Sequence, residues 1–370
     1  MLAVLPLFSG ALVTPSARHR PISMASDGSR GGLRLLEWIP SQKLLVKTGR
    51  FTWNTLWKTM LSELAPQSAD GAYVRPAPQL GTDAAWPADL PLEPGRYHAY
   101  LGNACPWCHR VSIALALRGL LGTTITTTRL DDNPEKASRG GWCFADSDPD
   151  PLLGAADLRE VYNALTPGDE DYKGRVTAPL LVDLKDGGRI ISNESGDIVR
   201  MLGGAAFPAA ADAAPLCPPE LRQQIDEVNA WTYELVNNGV YRAGFCTKQA
   251  AYEEAERDVH DGLARAEALL ASQRYLLGDT VTEADVRLLP TAVRFDGVYA
   301  SFFRCGRRQI RSDYPAVGRW MRDMLERTGP GLFDLADARR SYYSNLFPLN
   351  PGGIVPAGPS AADLGLEGLV

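Results

Sequence analysis

The chain has 370 residues, of which 45% are hydrophobic and 22% charged, and its formal net charge is −6. This composition is typical of a soluble globular protein with one to three domains, two being the first expectation. The acidic balance and the lack of a basic run argue against nucleic acid as the main partner. No apolar run reaches the length of a membrane-spanning helix. The six cysteines are scattered, which favours a reducing compartment over a secreted disulfide scaffold.

The first 32 residues differ in composition from the rest. No acidic residue precedes Asp27, and the segment carries Arg18, Arg20 and Arg30 among several serines. This composition is typical of an organelle transit peptide. We therefore predict that residues 1–32 are a transit peptide or a disordered tail. The expected location is a plastid, with mitochondrion and cytoplasm as alternatives. A secretory signal is a weaker interpretation, because the apolar start lacks a charged first region.

Residues 33–94 are predicted to form a helix and an extended arm. Apolar residues recur at three- and four-residue steps from Trp53 to Leu64, which predicts an amphipathic helix. Its apolar face is expected to cover a domain junction or to join a dimer. The stretch from Pro66 to Glu93 is rich in Pro, Gly, Asp and Ala, as is typical of an extended segment.

The next stretch contains two cysteines between a predicted strand and a predicted helix. The strand is the aromatic run Tyr97–Leu101, and the helix is the apolar run that ends at Gly119. Between them lies CPWC, with Cys105 at the helix start, where free N–H groups and the helix dipole favour a thiolate. This arrangement favours redox or nucleophilic chemistry at Cys105. Half of a zinc site is disfavoured, since no second CxxC or CxxH follows at a suitable spacing. Inert buried thiols are the other alternative.

Downstream patterns complete a first domain over residues 95–205. A β-branched run predicts a strand, then a short helix, then two strands joined by a hairpin turn and a final helix that begins at Ser195. These elements are predicted at residues 123–130, 158–165, 180–183 and 189–192. The order β, α, β, (α), β, β, α is thioredoxin-like, with a mixed sheet and helices on both faces.

The remainder of the chain is predicted to be helical. An Ala- and Pro-rich segment, residues 206–219, is interpreted as a linker, and helical periodicity begins at Glu220. Four helices are expected, at residues 221–236, 252–270, 282–295 and 315–325. An α/β thioredoxin-like N-terminal domain followed by an all-α C-terminal domain, residues 220–330, resembles the glutathione transferase architecture.

Six ordered motifs resemble those of one family. They are GRYHAYLGNACPWCHR, Gly141-Trp142 with Phe144, GRVTAPLLVD with SNESGDIVRML, NNGVYRAGFC, RYLLGDTVTEADVRLLPTAVRFDGVY and RRSYYSNLFPLNPGGIVPAGP. The family is the Xi class of glutathione transferases, the S-glutathionyl-hydroquinone reductases. The last motif, within residues 331–370, resembles its C-terminal extension. The resemblance implies a homodimeric enzyme that uses glutathione as cosubstrate, without a metal. It removes glutathione from S-glutathionyl-hydroquinones through a Cys105–glutathione mixed disulfide.

The resemblance also implies which residues do the chemistry. Cys105 attacks the sulfur of the conjugate, and a second glutathione releases the enzyme. Cys108 replaces the alanine that the family usually has. It is interpreted either as a thiol that resolves the mixed disulfide or as a small buried residue, with equal weight.

Further residues are expected to bind the two halves of the substrate. The glutathione-binding residues are predicted to be Trp142, Arg175, Ala178, Pro179, Glu194 and Ser195. Ala178–Pro179 is expected to be cis, with Ala178 backbone atoms pairing with glutathione, Ser195 as a helix N-cap beside the γ-glutamyl carboxylate, and Glu194 beside the ammonium. The quinol-binding residues are predicted to be Tyr241, Tyr299 and Tyr343. For each aromatic residue, simple packing is the alternative.

Two other functions compete with this interpretation. One is an omega-like or glutaredoxin-like protein deglutathionylase or dehydroascorbate reductase. The other, from a different class, is a non-catalytic carrier of quinones or porphyrin-like molecules. Cys105 and the surrounding glutathione motifs argue against a pure carrier.

Overall fold

The computed structural model describes residues 41–77, 80, 84–138, 141–145, 149–168, 170–204 and 213–370. The chain divides into two compact units, residues 1–55 and residues 56–370. The predicted transit peptide lies outside the described residues. Within the described ranges, no helix combines the length and the apolar character that crossing a bilayer requires.

The predicted N-terminal helix is present and longer than expected. Helix α1 spans Gln42–Leu64, because the residues before Trp53 are mostly helix formers despite an irregular apolar pattern. Leu61 is fully buried in the second unit, whereas Trp53 is 44% exposed. The apolar face is therefore only partly buried.

A mixed sheet organises the first domain, as predicted, and it has five strands. Its strand order is β3-β2-β1-β4-β5. The strands are β1 Tyr97–Gly102, β2 Ile125–Asp131, β3 Cys143–Phe144, β4 Leu180–Asp183 and β5 Arg189–Ser192. Central β1 is buried throughout; it is parallel to β2, with Tyr97 opposite Ile125, and antiparallel to β4, with Tyr97 opposite Asp183. Strand β3 was not predicted, because two residues are too short to show alternation.

Three helices accompany this sheet, and two of them begin at the candidate site. They are α2 Pro106–Leu117, α3 Leu158–Ala164 and α4 Ser195–Gly203. Helix α2 directly follows β1, so the loop between them carries the first cysteine to the end of the central strand. Of the predicted linker, residues 206–212 lie outside the described residues. Leu216 is buried, and its backbone bonds with Gly203 and Glu283. The domain limits at 205 and 220 stay predictions.

The second part of the chain is helical, as predicted, with more elements than expected. The helices are α5 Arg222–Trp231, α6 Gly239–Phe245, α7 Gln249–Ser272, α8 Glu283–Arg294, α9 Ala300–Phe302, α10 Ile310–Asp313, α11 Pro315–Thr328 and α12 Leu335–Asn345. Two π-helical segments, Thr232–Asn237 and Phe295–Tyr299, continue α5 and α8. Such segments are frequent near functional sites, and here both lead towards tyrosines predicted to bind substrate.

Helix α8 begins with a capping box at Thr282 and Asp285, in which each residue satisfies a backbone N–H of the first turn. The Asp285 carboxylate also accepts hydrogen bonds from the Leu276 N–H and the Trp320 indole, each at 2.9 Å. This buried carboxylate therefore fixes the start of α8 against α11 and positions the far end of α8, where Arg294 lies.

Candidate active site

Cys105 is the N-cap residue of α2, at the point where the loop after β1 enters the helix. Its Sγ accepts a hydrogen bond from the Cys108 N–H at 3.4 Å. Pro106 occupies the first helical position, where no N–H is needed. In its thiol form, Cys105 donates to the Ala178 carbonyl at 3.6 Å. The sulfur thus lies between the helix start and the loop before β4.

The pKa values of the two cysteines are shifted in opposite directions. Burial raises the pKa of Cys105, but hydrogen bonds from the Cys108 thiol and N–H, and the charge of Arg294, outweigh burial and leave the pKa lowered. Burial and the neighbouring Cys105 raise the pKa of Cys108 well above its usual value. Cys105 is therefore the stronger nucleophile of the pair at neutral pH, and Cys108 is a protonated thiol.

An open pocket lies beside Ala178, whose carbonyl contacts Cys105. It is lined by Tyr73, Arg75, Pro76, Ala77, Trp107, Arg175, Thr177, Ala178, Pro179, Asn193, Glu194 and Ser195. All the predicted glutathione-binding residues except Trp142 are among them. The Ala178–Pro179 bond is cis, as expected. The sequence therefore located most of this pocket.

The start of α4 differs from the prediction in one respect. The N-cap is Glu194, whose Oε1 accepts a hydrogen bond from the Gly196 N–H at 3.0 Å. Ser195 is the first helical residue instead, and the prediction that it caps the helix is wrong. The Ser195 hydroxyl lies 3.5 Å from an Arg110 nitrogen, which links α4 to α2.

Trp142 is not among the residues that line the pocket. Its ring packs against Gly102, where an added Cβ would come within 2.3 Å of the indole. Gly102 is the last residue of β1, three positions before Cys105. Trp142 therefore packs beside the end of β1, and its contact with glutathione stays a prediction.

Two arginines contact Trp107, and sequence reasoning missed one of them, Arg75. The Arg75 guanidinium lies 4.0 Å from the centre of the Trp107 ring, and that of Arg110 lies 4.5 Å away. These are cation–π distances. Arg75 belongs to the arm before β1, where no periodic pattern marks a functional residue. Burial lowers the pKa of Arg110 to about 9, and its guanidinium bonds with the Arg287 carbonyl.

Three tyrosine hydroxyls converge in the helical region. The Tyr342 hydroxyl lies 2.6 Å from that of Tyr241 and 3.0 Å from that of Tyr299. The Tyr343 hydroxyl instead bonds with Ser301 at 2.6 Å. The structure therefore places Tyr342, and not the predicted Tyr343, with the other two. Adjacent residues point in different directions on a helix, and α12 was not recognised as a helix.

This tyrosine cluster, Tyr241, Tyr299 and Tyr342, is electrostatically coupled to the reactive cysteine. Burial raises the pKa of Tyr241 and Tyr342 well above the usual value, and that of Tyr299 is raised too. A negative charge on Cys105 raises the pKa of Tyr241 and Tyr299 further. The hydroxyls are therefore protonated and able to donate hydrogen bonds to an oxygen placed near Cys105.

No cluster of three or more potential metal ligands occurs among His, Cys, Asp and Glu of the described ranges. Cys105 and Cys108 also lack a third such neighbour there. What the site offers is a thiolate at a helix start, a polar pocket at Ala178 and phenol donors whose pKa responds to the charge of Cys105. This arrangement is suited to thiol–disulfide exchange.

Two models of the glutathione S-transferase family match the chain. The N-terminal domain matches residues 104–205, and the C-terminal domain matches residues 249–323. The glutathionyl-hydroquinone reductase PcpF of Sphingobium chlorophenolicum is 42% identical over 304 residues, covering 80% of this chain and 92% of PcpF. The glutathionyl-hydroquinone reductase YqjG of Escherichia coli is 40% identical over 274 residues, covering 72% of this chain and 80% of YqjG.

Solved structures agree with these matches. The glutathione S-transferase Xi of Phanerochaete chrysosporium aligns with a TM-score of 0.69 at 38% identity, covering 79% of this chain and 94% of that one. Glutathione-bound YqjG aligns with a TM-score of 0.66 at 39% identity, covering 80% and 92%. A thioredoxin-like sheet with a cysteine at the first helix start, followed by a helical domain, defines a glutathione transferase. Within that class, the chain belongs to the Xi-class family of the glutathionyl-hydroquinone reductases.

Proposed function

We propose that this protein is a glutathione-dependent reductase that removes glutathione from S-glutathionyl-hydroquinones through a Cys105–glutathione mixed disulfide. One observation carries the proposal. The Cys105 sulfur, with its lowered pKa, is held at the start of α2 in contact with Ala178, which lines the pocket, and its charge acts on Tyr241 and Tyr299 of the tyrosine cluster. The names of PcpF and YqjG, and the glutathione bound in YqjG, support it.

The reaction proceeds in two exchange steps. The Cys105 thiolate attacks the glutathione sulfur of the conjugate, so an S–S bond forms and the carbon–sulfur bond breaks. The electron pair of that bond stays on the ring carbon, which takes up a proton and leaves as the free hydroquinone. A second glutathione thiolate then attacks the glutathione sulfur of the mixed disulfide. Glutathione disulfide leaves and Cys105 is regenerated as a thiolate, so one conjugate and one glutathione give hydroquinone and glutathione disulfide.

The pocket residues are suited to hold the peptide half of the conjugate. The cis loop presents the Ala178 backbone beside Cys105, where the cysteinyl part of glutathione must lie. The start of α4 offers N–H groups for a carboxylate, and Glu194 offers a negative charge for an ammonium. Arg175 and Arg75 line the same pocket and supply positive charge for carboxylates.

The tyrosine cluster is suited to hold the hydroquinone half. Its three hydroxyls are protonated and meet at Tyr342. Tyr299 and Tyr342 are buried, and Tyr241 is half-buried. They are placed to donate hydrogen bonds to the oxygens of the leaving ring, whose negative charge rises as the carbon–sulfur bond breaks. This donation would stabilise the transition state more than the ground state.

Steady-state turnover of the glutathione conjugate of menadione hydroquinone tests the proposal. The wild-type protein with glutathione is expected to release free hydroquinone, and Cys105→Ser is expected to lose this activity. The Cys143→Ser variant is the matched control, since Cys143 is a buried cysteine of β3. A wild-type protein that releases no hydroquinone would contradict the proposal.

The two competing functions are less well supported. Cys105 is only 8% exposed, so a glutathionylated protein would reach it less easily than a small conjugate. A non-catalytic carrier has no need for a thiol whose pKa is lowered. Dehydroascorbate and a glutathionylated test protein belong in the same assay, and faster turnover of either one would favour that alternative.

We propose that the Cys108 thiol donates a hydrogen bond to the Cys105 sulfur and is not the resolving thiol. Its side chain is 1% exposed and its pKa is raised, so little thiolate is available to attack a mixed disulfide. Glutathione reaches the sulfur from the open pocket and can take the resolving step. The resolving role predicts an intramolecular disulfide, which mass spectrometry of oxidised protein would detect.

The location and the oligomeric state are further proposals. We propose import into a plastid through residues 1–32, on the composition of that segment alone. A fusion of these residues to a fluorescent protein tests it, and mitochondrial or cytoplasmic fluorescence would contradict it.

We also propose a homodimer. Phe51, Trp53 and Leu56 of α1 are exposed apolar side chains that offer contact area. Light scattering that gives the mass of one chain would contradict the dimer.

A further inference from the structure

Arg294, the last residue of α8, is a fully buried guanidinium directed at the loop that carries Cys105. Its Nε donates to the Ala104 carbonyl at 3.1 Å, and its Nη2 donates to the Asn103 carbonyl at 2.6 Å. These are the two peptide units immediately before Cys105. The planar fork of an arginine can hold two carbonyls at once, which a lysine cannot do.

A third nitrogen of Arg294, Nη1, also donates to neutral acceptors. Nη1 donates to the Pro290 carbonyl at 3.0 Å and to His109 Nδ1 at 3.1 Å. The guanidinium lies 4.1 Å from the centre of the Phe333 ring. Across the described residues, no carboxylate oxygen lies within 4.0 Å of an Arg294 nitrogen, the distance that an ion pair requires. A buried charge normally has an opposite charge nearby, and here the available one is the thiolate of Cys105.

His109 is a neutral hydrogen-bond acceptor for Arg294. His109 lies one turn after Cys105 in α2, and its backbone N–H donates to the Cys105 carbonyl at 3.1 Å. Burial and the charge of Arg294 lower the pKa of His109 well below its usual value. The imidazole is therefore neutral, and its Nδ1 is an acceptor for Arg294. His109 also stacks on Phe333 at 4.9 Å, so the imidazole and the guanidinium both pack against this ring.

We propose that Arg294 is a positioning residue that holds the Asn103–Cys105 loop and supplies the positive charge that balances the Cys105 thiolate. Through it, the helical domain controls the reactive cysteine of the thioredoxin-like domain. This inference rests on the proposed role of Cys105 as the nucleophile. It assigns a role to Arg294, which lies inside the motif RYLLGDTVTEADVRLLPTAVRFDGVY but had no predicted function.

The pH dependence of Cys105 alkylation tests this role. Iodoacetamide modifies the full-length protein across a pH series, and peptide mass spectrometry reports Cys105 separately from the other cysteines. Arg294→Gln removes the charge and is expected to raise the apparent pKa of Cys105 by about one unit or more. That shift corresponds to roughly tenfold less thiolate at neutral pH. Arg294→Lys keeps the positive charge but loses the planar guanidinium that donates to two carbonyls at once. It is expected to leave the alkylation pKa within about half a unit of the wild type, while turnover falls severalfold because the loop is less well held.

Arg118→Gln is the matched control. Arg118 is also buried and also donates to backbone carbonyls, those of Ala213 at 2.7 Å and Gly204 at 3.2 Å. It lies at the opposite end of α2 from Cys105. This control is expected to lower thermal stability and to leave the alkylation pKa of Cys105 unchanged. An equal shift in Arg118→Gln and Arg294→Gln would overturn the proposal, as would folded Arg294→Gln protein with a wild-type alkylation pKa.

If Arg294→Gln does not fold, Arg294→Lys decides the question. Wild-type turnover together with a wild-type alkylation pKa in that variant would show that the two-carbonyl fork is not needed and would overturn the positioning role. Alkylation requires no hydroquinone conjugate. A failure of the proposed reductase activity would therefore appear in the wild-type turnover assay, separately from a failure of the Arg294 proposal.

Discussion

The hydroxyls of Tyr342 and Tyr241 lie 2.6 Å apart, which joins the C-terminal extension to the entry of the helical domain. Tyr342 comes from α12, and Tyr241 comes from α6. Because Tyr299 also contacts Tyr342 at 3.0 Å, Tyr342 is the centre of the cluster. The extension therefore completes the tyrosine cluster, the proposed hydroquinone-binding side of the site.

Tyr342→Phe is expected to slow the release of hydroquinone more than Tyr343→Phe does. The first variant removes the hydroxyl shared by Tyr241 and Tyr299, whereas the second removes only the contact with Ser301. The loss of one preorganised donor predicts a decrease in kcat of about tenfold or more. Steady-state kinetics with the menadione conjugate measure both variants. A larger effect at Tyr343 would return the quinol-binding role to that residue.

Cys108→Ala is expected to shift the pH dependence of turnover towards higher pH. The thiolate of Cys105 is the active form, so activity rises as pH passes its pKa. Removing the Cys108 thiol removes a hydrogen bond that lowers this pKa, and the rise then occurs at higher pH. Cys108→Ser retains a donor and is expected to resemble the wild type. A pH profile in Cys108→Ala identical to the wild type would contradict the donor role.

The Cys108→Ser variant also tests whether Cys108 resolves the mixed disulfide. Wild-type protein treated with glutathione disulfide is expected to carry glutathione on Cys105, and Cys108→Ser is expected to keep full turnover. An intramolecular Cys105–Cys108 disulfide in the wild type, together with a slow Cys108→Ser variant, would establish Cys108 as the resolving thiol.

Glu194→Gln is expected to raise the KM for glutathione by about tenfold, because it removes a negative charge beside the start of α4. The variant also weakens the N-cap, which costs at most about 1 kcal/mol of stability. Asp157→Asn is the matched control, since Asp157 caps α3 by accepting a hydrogen bond from the Glu160 N–H at 3.1 Å. A rise in KM of equal size in both variants would assign the effect to helix capping and not to the binding of glutathione.

Gly102→Ala is expected to destabilise the protein, because the new methyl group would lie 2.3 Å from the Trp142 ring. Overpacking of this kind typically costs about 1–3 kcal/mol. Thermal unfolding measures it, with Gly352→Ala as the control, since the nearest atom to a Cβ at Gly352 is 4.0 Å away. Equal melting temperatures for the two variants would contradict the close packing of Trp142 on β1.

Most of the fold was predictable because its signals are local. Strands β4 and β5 match the predicted residues, since each is bounded by turn residues. The start of α8 was predictable because Thr282 and Asp285 are a capping pair three residues apart. The position of Cys105 at the start of α2 was also predictable from a local signal, because the strand, the CPWC sequence and the helix follow one another directly.

What the sequence did not reveal depends on contacts between distant segments. Arg75 reaches Trp107 from an arm without periodicity, and Arg294 reaches Asn103 from a helix 191 residues further along the chain. The choice between Tyr342 and Tyr343 depends on the rotation of α12, which is set by packing. The cap at Glu194 instead of Ser195 depends on the local backbone, where two neighbouring polar residues both suit an N-cap.

A single-turnover experiment without free glutathione tests the central claim most directly. Protein in excess is mixed with the glutathione conjugate of menadione hydroquinone, and both the protein and the released ring are analysed by mass spectrometry. We predict one glutathione in disulfide linkage to Cys105 for each hydroquinone released, and neither product with Cys105→Ser. Hydroquinone released without modification of Cys105, or no release at all, would contradict the account.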